Sequence, residues 1–100
     1  MPIKRYMPKP IDTSDIELDK EILALTEILA RNTHDVWALR KLDEGWKPGK
    51  KLSNKAMTTP YLVPYEDLPE EIKQYDRSTA VETIKLIIAL GYEMRKTERT

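Results

Sequence analysis

The residues of this 100-residue chain best equipped for chemistry are crowded into one stretch, Asn32-Thr33-His34-Asp35-Val36-Trp37-Ala38-Leu39-Arg40, running on to Glu44-Gly45-Trp46. It holds the only histidine and both tryptophans. His34-Asp35 has the look of a metal-phosphohydrolase dyad, but such a site needs further histidines that the chain lacks, and the absence of cysteine removes thiolate ligands and nucleophiles. A Ser/His/Asp triad drawn through Ser53 or Ser78 finds neither serine in a nucleophile-elbow setting. The expectation is a protein that is not an enzyme and carries no metal or other cofactor. His34 is expected at a helix edge, hydrogen-bonded to a loop carbonyl.

Ligand binding is the sharper alternative. Trp37 and Trp46 offer stacking faces, and Arg40, Arg77 and the loop Lys47 to Lys51 offer positive charge, a set suited to an adenine-containing ligand. With His34 and Tyr65 these form the candidate ligand-binding residues: His34, Trp37, Arg40, Trp46, Tyr65 and Arg77. Against this stands a structural reading in which both tryptophans are core and Arg40 is held in a buried polar network with Asn32, Asp43 and Asp76. A buried guanidinium is tolerable only when it is paired.

The elements that position these residues follow from pattern. Between Asp19 and Glu44 there is neither proline nor glycine, which predicts one long helix, with a break near Asn32-Thr33 as the alternative. At 100° per residue, Ile22, Leu25, Ile28, Leu29, Val36 and Leu39 share an arc and are expected to face the core. Glu27, Arg31 and Asp35 are expected on a solvated face, with Arg31 paired to both carboxylates. Gly45 suits a left-handed stop, with Trp46 folding back on the helix.

Ahead of that helix, Pro8 and Pro10 predict an extended arm near 6–12, anchored by Tyr6 and Ile11 and turning at Asp12-Thr13. Lys47 to Lys51 reads as a solvated loop, and Thr58 to Tyr65 as a short edge strand or extended segment. A second helix is expected over about 69–90, with a possible break near 76–79, where Thr79-Ala80-Val81-Glu82 has capping-box spacing. In it Ala80, Ile84, Ile87, Ile88 and Gly91 fall on one side, and Tyr92 is placed to pack back on Ile87. A short strand is expected near 91–95, with fraying over 95–100. The fold class is α+β and predominantly helical: two main antiparallel helices with short edge strands and extended arms, in one domain spanning 1–100.

Seventeen basic and seventeen acidic residues cancel, so no global field draws the chain to nucleic acid. No apolar run reaches the length of a membrane span, and Met1 to Arg5 does not lead into a signal peptide. A cytoplasmic protein without membrane insertion is expected, and lack of cysteine is compatible with the reducing cytosol.

The ordered blocks Tyr6-Met7-Pro8-Lys9-Pro10-Ile11-Asp12-Thr13, Asn32-x-His34-Asp35-x-Trp37-Ala38-x-Arg40, Gly45-Trp46, Leu62-Val63-Pro64-Tyr65 and Asp76-Arg77 resemble the RyR domain, the module repeated in the cytosolic part of ryanodine receptor calcium-release channels and found singly in microbial and phage proteins. Two departures are local: Pro48 precedes Gly49 where an aromatic is common, and Thr59 precedes Pro60 where a histidine is frequent. The resemblance implies two main helices with short strands and arms. It also implies a non-enzymatic binding or interaction module, whose partner is another protein or a second copy. The alternative it suggests is a sensor of a nucleotide-derived small molecule near Trp37, Arg40 and Trp46.

Overall fold

The computed structural model describes residues 5–97. Helix α1 (Lys20–Asp43) and helix α2 (Glu70–Ala89) pack on each other, and between them lie the two-residue strands β1 (Lys47–Pro48) and β2 (Thr58–Thr59) and a 3-10 turn, Tyr65–Asp67. The fold is thus α+β and predominantly helical.

Both ends of α1 are fixed by its own sequence. The Asp19 carboxylate accepts a hydrogen bond from the Ile22 amide at 2.9 Å, satisfying one of the free donors of the first turn. At the other end Gly45 has φ +96°, its amide donates to Leu42 O and the Trp46 amide donates to Lys41 O, the double closure of a Schellman stop. Lys41 Nζ then lies 4.9 Å from the centre of the Trp46 ring, so Trp46 folds back as expected. The end of α2 repeats the device: the Gly91 amide donates to Ile88 O and the Tyr92 amide to Ile87 O.

Helix α2 runs unbroken through 76–79. The expected capping box at Thr79 is not formed, because the Thr79 hydroxyl donates back to Tyr75 O at 2.9 Å and that of Ser78 to Gln74 O at 2.7 Å. Such back-bonding lets hydroxyl residues sit inside a helix without exposing an unpaired group.

Of the segment expected to be extended, Thr58 to Tyr65, only its first two residues form a strand, and the partner strand is the unexpected Lys47–Pro48. β1 and β2 pair in parallel, Lys47 with Thr58 and Pro48 with Thr59, and Ser53 bridges to Thr58 in the antiparallel sense. The Lys47 to Lys51 segment is therefore partly tied into a small sheet. Gly49 is needed there, since a Cβ on it would lie 2.8 Å from Thr58 Cβ. The segment after Pro60 instead turns into the 3-10 turn.

The arm ahead of α1 is irregular, and its anchor is also not the expected one. Tyr6 and Ile11 are exposed, whereas Thr13 is buried and its hydroxyl donates to Glu82 Oε2 at 2.8 Å. Asp12 does form the expected turn, accepting from the Ser14 amide at 2.9 Å. Residues 91–97 include no strand, and the rest of the segment expected to fray, 98–100, lies outside the described residues.

The largest correction concerns which side of α1 faces inward. The buried residues of the helix are Thr26, Ala30 and His34, with Ala30 at 0% exposure. Ile28, Val36 and Leu39, expected in the core, are 65%, 51% and 63% exposed. Around Ala30 the inward face is small, which lets Tyr65 and Leu68 close directly over it, with Tyr61, Val63 and Ile72 packed around them. Ala80 and Ile84 of α2 are buried as expected, while Ile87 is on the exposed side.

Candidate functional site

On its inward face α1 presents His34 and Trp37 three residues apart, on neighbouring turns. His34 is buried, and its Nε2 is 2.7 Å from Val63 O. A carbonyl can only accept, so Nε2 carries the proton. This is the hydrogen bond to a loop carbonyl expected of His34, and it ties α1 to the segment preceding Tyr65. The His34 and Trp37 rings stack at 5.6 Å between centroids and 26° between planes, and the Tyr65 ring is tilted at 52° to His34 with centroids 6.3 Å apart.

His34, Trp37, Tyr61, Ile72 and Asp76 line a cavity of about 150 Å³. Its one carboxylate belongs to Asp76, half-buried on α2. Burial pushes the Asp76 carboxyl above the usual aspartate range, with nearby His34 acting in the opposite sense. The cavity thus offers aromatic faces, an aliphatic wall and an acceptor. Among the described residues no group of three or more His, Cys, Asp or Glu side chains is arranged to hold a metal ion.

The candidate residues divide. His34 and Trp37 share this cavity, and Tyr65 is buried behind His34. Trp46 is half-buried under Lys41 at the end of α1. Arg77 is not free to meet a phosphate: it grips Glu27 through Nε at 2.7 Å and Nη2 at 3.2 Å, and it also pairs with Glu70. Its guanidinium holds both carboxyls below their usual range, and they raise the arginine in turn. Glu27 is accordingly no idle surface residue, and Arg31 pairs with Glu66 at 2.9 Å instead of with its helix neighbours.

The expected buried network of Asn32, Arg40, Asp43 and Asp76 is absent. Asn32, Arg40 and Asp43 are exposed, and only Asp76 is drawn inward, toward His34. Asn32 and Arg40 do share the aliphatic arc, but its members Ile28, Val36 and Leu39 face outward, while Ile22, Leu25 and Leu29 are only half-buried. The polar centre of the fold is Tyr65. Its hydroxyl is buried beside the Glu27–Arg77 pair without closing a hydrogen bond, and its ring receives Arg31 at 5.7 Å and Lys73 at 5.6 Å. Tyr61, Ile72 and Glu27 carried no signal of a site role in the sequence. Asp76 did, as a buried acid seeking a partner.

A larger hollow of about 530 Å³ lies on the other side of α1, between Ile22, Leu25 and Ile28 and the terminal segment around Met94. It is a mostly aliphatic surface groove, distant from the histidine and tryptophans. No helix among the described residues is long and apolar enough to cross a membrane.

The family model of the RyR domain matches residues 6–96, nearly the whole chain and every element described above. The buried histidine, its stacked tryptophan and the Leu62 to Tyr65 segment that receives them are the same blocks that carried the resemblance in the sequence, and the chain belongs to the RyR domain family.

Proposed function

We propose that this chain is a non-enzymatic binding module of the cytoplasm that acts by holding a protein partner on the outer face of α1. One observation carries the reading. Leu39, Val36 and Ile28 are more than half exposed in a well-formed helix whose opposite face already supplies the core. Scattered exposed aliphatics are ordinary, whereas a stripe of them along one helix face marks an interaction surface. A photo-crosslinking residue at position 39, introduced in living cells, should give a discrete protein adduct, and the same residue at exposed position 71 should not. No adduct at 36 or 39 overturns the proposal.

A second reading is favoured by the preformed cavity. A planar ring of a nucleotide-derived molecule can stack on Trp37 there, with Asp76 accepting from an exocyclic amine. Arg40, Trp46 and Arg77 do not line the cavity, so the reading narrows to the base and away from the phosphates. Calorimetry with nucleotides and ADP-ribose derivatives should show heat that Trp37→Ala abolishes. Absence of heat at millimolar ligand overturns it.

A further inference from the structure

Resting on the reading of the α1 outer face as a docking surface, we infer that its occupant is a second copy of this chain, its α1 lying antiparallel to the first. The order of residues along the face carries the inference. At intervals alternating between three and four, the stripe reads Leu25, Ile28, Asn32, Asp35, Leu39, Leu42. It is nearly the same read backwards about a point between residues 33 and 34. A two-fold interface requires such self-complementarity, because each residue must meet its mirror position on the partner.

With the axis at that point, Leu25 meets Leu42 of the partner subunit, Ile28 meets the partner's Leu39, and Asn32 meets the partner's Asp35. Two aliphatic layers on each side then flank two central polar pairs, in each of which an Asn32 amide donates to the Asp35 carboxylate of the other copy. Polar residues at such seam positions fix register and direction. The parallel alternative sets Asp35 against its own copy, a like-charge clash at the centre of the seam.

Surface area leaves room for such an interface. The chain exposes 8860 Å², against about 5,900 Å² for a folded monomer of its mass. A stable interface hides roughly 800 Å² per partner, so a dimer fits well within the excess, part of which lies in the extended arm. The groove beside Leu25 and Ile28 lies where the partner's Leu39 and Leu42 would seat.

The chain has no cysteine, so engineered thiols report cleanly. Residues 28 and 39 of one helix are about 16 Å apart, too far for an internal disulfide. On oxidation, Ile28→Cys/Leu39→Cys should become a covalent dimer, whereas Ile28→Cys alone should not. By sedimentation the native chain should be dimeric at hundreds of micromolar, and Ile28→Glu/Leu39→Glu should be monomeric with unchanged helix content. A native monomer at that concentration, or cross-linking of the single Ile28→Cys variant, overturns the antiparallel pair. Thiol labelling of dilute Leu39→Cys then separates the two readings. Fast labelling leaves the face open to a different protein, and slow labelling of a monomer shows it covered by its own chain and overturns both.

Discussion

Around Ala30 the two long faces of α1 invert the usual relation between size and burial. Inward lie Thr26, Ala30 and His34; outward lie Ile28, Val36, Leu39 and Leu42. The inner face gains from closeness, because small side chains let Tyr65 and Leu68 cover the helix directly and His34 reach the Val63 carbonyl. The outer face carries exposed aliphatics, and only its first half is approached by another segment, residues 93–96 across the groove beside Leu25 and Ile28. Hydrophobicity alone therefore does not choose the buried side of a helix. The choice falls to whichever face the neighbouring segments fit.

Substitutions that test this contrast differ in size. Leu68→Ala, under the inner face, should cost about 2–5 kcal/mol by chemical denaturation, since it leaves a hole in the small cluster around Ala30. Ala30→Leu should cost about 1–3 kcal/mol by forcing the inner face away from Tyr65. On the outer face Leu39→Ser, measured dilute enough to be monomeric, should stay within about 0.5 kcal/mol of the native chain. A Leu39→Ser loss equal to that of Ala30→Leu would break the contrast outright.

Two acid-base effects sharpen it further. The Glu27 carboxyl is held low by Arg77, so its contribution to stability is present above the ordinary glutamate range and is lost as pH falls through the depressed value. Thermal melts of the native chain should therefore converge with those of Arg77→Met in acid and separate toward neutrality. Asp76 has the opposite sign: burial raises its carboxyl, so the folded state is favoured by the proton, and that advantage is lost as pH rises through the raised value. Asp76→Asn should slightly raise the melting temperature at neutral pH, with the gain vanishing below about pH 3.8, the ordinary aspartate value.

Helix extents and ends were legible in the sequence because they depend on neighbours. Asp19 caps its own helix, and Gly45 with Trp46 and Gly91 with Tyr92 close theirs through backbone bonds a few residues back. Burial was not legible, because apolar residues occupy more than half the circumference of α1 and periodicity cannot say which arc another segment will cover. Arg77 illustrates the same limit. Its partners Glu27 and Glu70 lie 50 and 7 residues away, and nothing local distinguishes it from exposed Arg40. In the cavity, His34 and Trp37 stood out by rarity, while Tyr61 and Ile72 look in the sequence like any other core residues.

The hydrogen bond from Thr13 to Glu82 has a bearing on how the molecule comes apart. It is the one side-chain hydrogen bond that joins the arm ahead of α1 to the rest of the described chain, and the arm's apolar residues Tyr6, Met7 and Ile11 lie in solvent. Segments with few buried contacts open at a small fraction of the global unfolding free energy. Residues 5–15 should therefore detach and reattach as a unit while both helices stay formed, with their amides losing protection from exchange long before those of Ala30 or Ile84. Thr13→Val should leave the melting transition of the helices in place and bring that partial opening within reach of a protease acting on the native protein.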